Sequence, residues 1–479
     1  MTEIEGGQLK LLSDGQIDEL HTAAMTILEE KGLMVESDEA LELFEVNGAD
    51  VDWDEQIVKI PRSLVEKTAE TAPGEFDLCG QDEANDVTLR SDNSIFSTGT
   101  GVTSIEDWET GERRKPTRED VSDAVRLTDA LPNVDVSWAF FTLRDDPMLG
   151  FHNLYSLLTE NTKHSGIVTW YGGELTQKLI DMIDIVADGP VDERPLVTMY
   201  EQPVSPLSFR RENVESILRW TEAGLPMIWY PGQKPGATSP VTQAGNVAQG
   251  LAETLGGNAL AQLNNPGTPI IMGFSPLVMN LQTGINTYFS AETLLLQAAS
   301  AQLGDYYDIP IYGHGGTTNA YTMDFQAGME SALTLYGAVL TGQNFVHDLG
   351  FAGRGDVGSL ELITLTDEMI EMVQHAVEGM PVNGETLALD VIQNVDHGDN
   401  FLAESHTKEH GREALYLPEL LDAVEESQWE DNRSVEKARE KTERLLAEAN
   451  PDPVSEDVKA ELDDKMAEAR DLADELDRL

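Results

Sequence analysis

The first 93 residues show hydrophobic positions that recur mainly every three or four residues, a spacing typical of amphipathic helices. The first such stretch is flanked by Ser13, a candidate N-cap, and Gly32, a candidate C-cap. We therefore predict a helical N-terminal cap with a small sheet over residues 1–93. Its predicted elements are helices over residues 13–31 and 37–45 and after Pro61, and strands near residues 57–60 and 76–78.

From residue 94 the pattern changes to short apolar segments that alternate with longer amphipathic ones. Several short segments are apolar almost throughout, as expected for strands that are covered by helices. Eight strands alternating with helices predict a (β/α)8 TIM barrel, which we assign to residues 94–425. The predicted strands are residues 94–98, 135–142, 166–170, 196–201, 226–230, 268–274, 309–313 and 344–348. The predicted helices include residues 118–131, 175–187, 210–223, 241–263, 291–303, 325–340 and 360–377.

A doubly wound open sheet is the competing architecture. It is disfavoured because no Gly-x-Gly-x-x-Gly turn follows an early strand. The last residues, 426–479, are charged and helical in pattern, with a break at Pro451 and Pro453. We predict an acidic helical C-terminal extension there, which forms either a surface helix pair or an oligomer arm.

Aromatic residues cluster at the predicted strand ends, where a barrel carries its chemistry. They make up only 6% of the chain, yet they occur at most of these positions. A ring of aromatic faces would suit a quaternary ammonium group, which cannot donate hydrogen bonds. The alternative is that each ring only caps the barrel core. The candidate substrate-binding rings are Trp170, Tyr171, Trp229, Tyr230, Phe274 and Tyr312.

Polar candidates lie at the same ends. His314 and His347 could bind a substrate carboxylate or transfer a proton, or could be structural histidines. Glu201 could supply a counter-charge, and these three residues are the catalytic candidates. Gly99 and Gly101 could allow close approach to a ligand or simply form a tight turn. The two histidines with Glu201 or Asp348 could be arranged as zinc ligands, but no His-x-Glu or His-x-x-x-His spacing at these strand ends supports this, so we predict no metal.

The charge of the chain restricts its partners and its surroundings. Asp and Glu number 87 against 31 Lys and Arg, which gives a net charge of −56. The acids are spread along the chain, a pattern typical of a surface hydrated in high salt, so we expect a halophilic source. Such a surface repels nucleic acid and anionic membranes. With no signal-peptide-like start and no long apolar segment, we expect a cytoplasmic protein. The single Cys79 allows no intramolecular disulfide, and its place in the cap argues against a nucleophile.

Several segments together resemble the trimethylamine methyltransferase (MttB) superfamily over about residues 10–425. The final 50 residues look like a lineage-specific extension. The segments are residues 25–33, Ile60-Pro61-Arg62-Ser63-Leu64-Val65, the stretch from Asp107-Trp108-Glu109 to Arg113-Arg114, Thr117 with Asp120, Ala130-Leu131-Pro132-Asn133, Glu201-Gln202-Pro203-Val204-Ser205-Pro206-Leu207, and Asp324-Phe325-Gln326-Ala327-Gly328.

The resemblance implies a barrel that transfers a methyl group from a methylated amine to Co(I) of a separate corrinoid protein. Members that act on trimethylamine carry pyrrolysine, whereas this sequence holds only ordinary amino acids. It therefore resembles the branch typified by glycine betaine methyltransferase, which implies a quaternary amine substrate. The cobalamin would arrive on the partner, since no Asp-x-His-x-x-Gly motif occurs here. The resemblance also implies a homo-oligomer. The rivals are an enzyme for carnitine, proline betaine, choline or trimethylamine, a non-catalytic betaine-binding barrel, and a barrel lyase or decarboxylase.

Overall fold

A computed structural model describes residues 9–106, 112–169, 171–187, 189–412, 414–429 and 433–476. The predicted (β/α)8 barrel is confirmed, with all eight strands within a few residues of their expected places. The strands are β1 (Ile95–Thr98), β2 (Val136–Trp138), β3 (His164–Val168), β4 (Val197–Glu201), β5 (Met227–Trp229), β6 (Ile270–Met272), β7 (Tyr312–His314) and β8 (Phe345–Leu349). The outer helices are α1 (Arg118–Ala130), α2 (Leu149–Thr159), α3 (Gly173–Val186), α4 (Arg211–Glu222), α5 (Gln243–Asn264), α6 (Ala291–Tyr307), α7 (Phe325–Thr341) and α8 (Leu360–Val377).

The strands are parallel and follow one another around the barrel in chain order. Between β6 and β7 the ladder narrows to one parallel bridge, Met272 with Ile311, which closes the ring. Apolar residues on both faces of the strands explain this arrangement. One face fills the barrel interior and the other packs against the helices. The helices begin where the sequence offers caps; Thr117, for example, forms a capping box with Asp120 at the start of α1.

From residue 9 to residue 93 the chain forms the predicted helices and a small sheet, which pack on the barrel, and residues 1–8 of the predicted cap lie outside the described residues. The helix Asp14–Thr26 lies against α5 and α6, and Leu28 and Phe44 are buried in the same core as the barrel helices. The other elements are the π-helical turn Ile27–Lys31, the helices Asp38–Val46 and Arg62–Ala69, the strands Leu33–Val35, Asp50–Asp52 and Ile57–Lys59, and the hairpin Glu75–Leu78 with Val87–Arg90.

The hairpin closes the N-terminal end of the barrel. Its Leu78 and Leu89 are fully buried in the interior cluster that includes Ile95 and Val136. Cys79 follows directly and its backbone carbonyl contacts His164 at the start of β3, so the thiol is remote from the opposite end. The opposite, C-terminal end is the mouth, where a barrel normally carries its chemistry.

Among the described residues beyond α8, short helices precede two long ones, Arg433–Glu448 and Glu456–Glu475. These confirm the predicted helices and the break at Pro451 and Pro453. The first packs on α1 and α8 and the second on α2 and α3, so both add to the outer layer of the barrel. No helix of the described residues is long and apolar enough to cross a bilayer.

Candidate active site at the barrel mouth

Three tyrosines from three strands meet inside the barrel near its mouth. The rings of Tyr230 and Tyr312 are 4.6 Å apart, and Tyr200 lies 6.0 Å from the first and 5.7 Å from the second. Burial raises the pKa of each phenol well above its usual value, and the charge of Asp348 adds to that rise. The rings therefore stay neutral and present electron-rich faces.

Two histidines border the tyrosines and share one carboxylate. Asp348 accepts a very short hydrogen bond from Nδ1 of His314 and lies 2.5 Å from Nδ1 of His347. All three side chains are at most 5% exposed. Burial by itself raises the pKa of Asp348, but the two imidazoles outweigh it and hold that pKa below its usual range. The carboxylate is therefore ionised and fixes a proton on each Nδ1.

The hydroxyl groups of the tyrosines complete this network. Tyr230 lies 2.6 Å from Nε2 of His314 and donates to it, since Nδ1 already carries the proton. The hydroxyl of Tyr312 lies 2.5 Å from Nδ1 of His347. Nε2 of His347 is buried without a hydrogen-bond partner. It is therefore a polar atom of the network that the described residues leave unsatisfied.

A bulge at the end of β8 turns Asp348 into the barrel. Side chains alternate along a strand, so Val346 and Asp348 would face the helices while His347 faces inward. The register shifts between Val346 and Leu349, however, and Asp348 has φ of +73°. A left-handed backbone is unusual for Asp and is held by its surroundings. Because of the bulge, the side chains of His347 and Asp348 both point into the barrel although the two residues are adjacent in the chain.

Because Gly99 has no side chain, the side chain of Asp348 can occupy the space beside it. A Cβ at Gly99 would lie 2.7 Å from Oδ1 of Asp348 and 2.4 Å from the ring of Phe351. Gly101, in contrast, is exposed with φ of +102°, and a Cβ there would meet nothing within 4 Å. The structure therefore places Gly99, but not Gly101, against the histidine network.

Of the predicted rings, Tyr230 and Tyr312 join this cluster but Trp229 and Phe274 do not. The indole of Trp229 donates to the carbonyl of Glu253 in α5 and packs 4.8 Å from the ring of Phe209. Phe274 lies against Gly250 of α5. Trp229 faces outward because it alternates with the inward residues of β5, and the contact with α5 places Phe274 on the same outer side. The expectation that these two rings line the pocket was wrong.

Tyr171 and Glu201 also face away from the cluster. The hydroxyl of Tyr171 accepts from the amide of Gly150 in α2. Glu201 is fully buried and accepts from Thr169 at 2.7 Å and from Asn213 of α4 at 2.6 Å. Burial raises the pKa of Glu201 to about 8, so it is mostly protonated at neutral pH. It gives no counter-charge at the tyrosine rings. Trp170 lies outside the described residues.

Sequence reasoning missed three members of the site. Tyr200 and Asp348 lie at strand ends but were not among the predicted site residues. The alternation of side chains along neighbouring strands places Tyr200 on the same face as Tyr230 and could have identified it. Tyr288 lies in the loop after β6, with its ring 5.9 Å from that of His314, and no local pattern marks it. No three His, Cys, Asp or Glu side chains in the described ranges are grouped as a metal site.

The fold and this site define a class, a (β/α)8 barrel with tyrosines and carboxylate-linked histidines at the end where such enzymes act. The chain belongs to the trimethylamine methyltransferase (MTTB) family, whose model matches residues 2–472. The protein is a methyltransferase. Because the match reaches residue 472, the C-terminal helices belong to the family pattern, and the expectation of a lineage-specific extension was wrong.

Named relatives include two different activities. The chain is 32% identical over 478 residues to trimethylamine methyltransferase MttB of Desulfitobacterium hafniense strain DSM 10664 / DCB-2, covering 98% of this chain and 96% of the relative. It is 30% identical over 460 residues to glycine betaine methyltransferase of Desulfitobacterium hafniense strain Y51, covering 94% and 95%. The structure of Methanosarcina barkeri monomethylamine methyltransferase (MtmB) aligns with a TM-score of 0.48 at 14% identity, covering 92% of this chain and 95% of that one.

Proposed function

We propose that the protein moves a methyl group from a quaternary amine, glycine betaine being favoured, to Co(I) of a separate corrinoid protein. The observation that carries this proposal is the cluster of Tyr200, Tyr230 and Tyr312 beside His347. Neutral rings attract a cation that cannot donate hydrogen bonds, each by about 0.5–2 kcal/mol. The nearby ionised Asp348 adds a negative charge.

The site suits positioning more than acid–base chemistry. A quaternary ammonium already contains a neutral amine as its leaving group, so its departure needs no proton. The rings would hold the trimethylammonium group in one orientation and exclude water from the carbon under attack. His347 offers the polar contact for the other end of the substrate.

The methyl acceptor is a co-substrate in this proposal and is carried by another protein. Its cobalt supplies the nucleophile that takes the methyl group. Tyr200 and Tyr288 are only half-buried, so the ring cluster reaches the open side of the mouth. That side is where a carrier would approach.

Self-association belongs to the same proposal. The outer face of α7 exposes Phe325, Met329 and Leu333 by 86%, 40% and 51%. The one charged residue of α7, Glu330, is buried. Two chains of net charge −56 would approach most easily through such an uncharged face. Phe325→Asp should lower the mass measured by analytical ultracentrifugation in molar salt, and an unchanged mass would exclude this face.

The central experiment incubates the purified protein in molar salt with Co(I) cobalamin and a panel of methylated amines. Formation of methyl-Co(III) is followed by absorbance, and we expect it with glycine betaine. Tyr200→Leu should raise KM roughly 2- to 30-fold, since it removes one ring. The matched control is Tyr306→Leu, which changes an exposed tyrosine at the far end of α6.

The other outcomes are also informative. Turnover of trimethylamine alone would reassign the substrate. Calorimetric binding of betaine with no methylation, even with a corrinoid carrier protein, would favour a non-catalytic binding barrel.

A further inference from the structure

His347 has a defined protonation pattern in the absence of a ligand. The ionised Asp348 holds the proton on Nδ1, so a neutral ring leaves a lone pair on Nε2. This atom is buried and without a hydrogen-bond partner. Burial lowers the pKa of His347, an effect that the charge of Asp348 partly opposes, so the ring is neutral above neutral pH.

A lone pair at Nε2 affects the binding of two classes of substrate differently. A substrate carboxylate would face it with another lone pair, which is repulsive. If Nε2 gains a proton, the imidazolium lies between two carboxylates, Asp348 and that of the substrate, and donates to both. A quaternary amine without a carboxylate does not require a proton on Nε2, and its positive charge would disfavour formation of the imidazolium.

We propose that His347 and Asp348 form a proton-linked selector, in which a carboxylate-bearing quaternary amine binds together with one proton on Nε2 of His347. The inference rests on the proposed function and assigns the substrate class of that site. The step is an uptake from solvent that forms the Nε2–H bond and breaks no bond in the substrate. His347 acts here as a binding residue, and Asp348 positions its ring.

The titratable groups that face His347 come from three strands of the barrel. They are the carboxylate of Asp348 on β8, the hydroxyl of Tyr312 and the ring of His314 on β7, and the ring of Tyr200 on β4. Trp138 of β2 packs edge-on at 4.9 Å and brings no charge. Asp348 is the only ionised acid among them, and so it is the counter-charge of the imidazolium.

Isothermal titration calorimetry with the full-length protein tests this inference. Glycine betaine and choline are titrated at pH 8 in molar KCl, in two buffers of different ionisation enthalpy. We expect uptake of about one proton per betaine and none per choline. Betaine affinity should fall up to tenfold per pH unit on the alkaline side, while choline affinity should stay level.

Variants sharpen the result without relying on turnover. His347→Gln offers an amide N–H at every pH, so betaine should bind with no proton uptake and with a flat pH dependence. Asp348→Asn should also reduce the uptake, because the imidazolium loses its counter-charge. The control His21→Gln, in the N-terminal helix Asp14–Thr26, should keep the wild-type uptake.

The outcomes separate this inference from the proposed function. Betaine binding without proton uptake in the wild-type protein overturns the inference alone. Betaine binding with uptake but without methyl-Co(III) overturns the methyl-transfer proposal and leaves the inference standing. If betaine does not bind at all, the inference fails, and the methyl-transfer proposal fails with it when no other quaternary amine of the panel gives methyl-Co(III).

Discussion

His164 at the start of β3 and His347 near the end of β8 are both buried in the barrel interior, but their ring nitrogens differ. Nδ1 of His164 lies 3.0 Å from the carbonyl of Cys79, and Nε2 lies 2.8 Å from the hydroxyl of Thr198. Both ring nitrogens of His164 therefore have hydrogen-bond partners within the protein. His347 keeps one nitrogen without a partner at the opposite end of the barrel.

The same contrast extends to the charged groups of the two ends. Near the N-terminal end, the ammonium of Lys163 donates to the carbonyls of Thr128, Leu131 and Val134. At the mouth, Asp348 is held by two histidines that also face the tyrosine cluster. Hydrogen-bonded buried groups such as Lys163 and His164 stabilise the fold, whereas the unsatisfied Nε2 of His347 needs a separate explanation, which the proposed substrate contact supplies.

Lys163→Met should be the most destabilising of these changes. It leaves three carbonyls without a donor and removes the positive charge near Asp135, which should lower the free energy of unfolding by roughly 3–5 kcal/mol. Denaturant unfolding in molar salt measures it, with exposed Lys10→Met as the control. A similar loss in His347→Gln would contradict the proposed difference between the two ends.

Trp229→Phe should affect stability and not substrate binding. The carbonyl of Glu253 loses its indole donor, and the wall between β5 and α5 loses volume, at a cost of roughly 1–3 kcal/mol. KM for the methylated amine should change less than about twofold. A large increase in KM with unchanged stability would return Trp229 to the pocket.

Gly99→Ala and Gly101→Ala form a matched pair at the mouth. The first inserts a methyl group against Asp348 and should lower kcat/KM at least tenfold, about 1.4 kcal/mol. The second meets no atom but strains a left-handed backbone, so it should cost about 1 kcal/mol of stability and spare activity. Equal activity in both variants would show that the histidine network tolerates displacement.

The pH dependence of stability should carry a small contribution from His164. Burial lowers its pKa to about 4 in the folded state, against about 6.5 in the unfolded chain. The unfolded chain thus binds more protons between these values, and stability is lost as pH falls below about 6.5. From pH 7 to pH 6 the loss should be about 0.7 kcal/mol. His164→Gln should remove this part of the slope, and an identical slope would show that His164 is not the group responsible.

Local patterns were sufficient to predict the elements of the barrel. Apolar strands such as the one that ends at Trp229 and capped helices such as the one that starts at Thr117 carry signals within about ten residues. The aromatic mouth was also predicted in kind, with Tyr230 and Tyr312 in place. What failed was the choice between neighbours, since Trp229 and Tyr230 are equally aromatic and only the side that each faces decides its role.

Residue type and spacing are enough to predict the alternation of strands and helices, the acidic surface and the aromatic and histidine side chains at the strand ends. Which of these side chains meet depends on the folded chain. The bulge at Asp348 arises where β8 shifts register against β1, and Tyr288 reaches His314 from a loop. Such contacts depend on pairing between segments far apart in the chain, which no local pattern encodes.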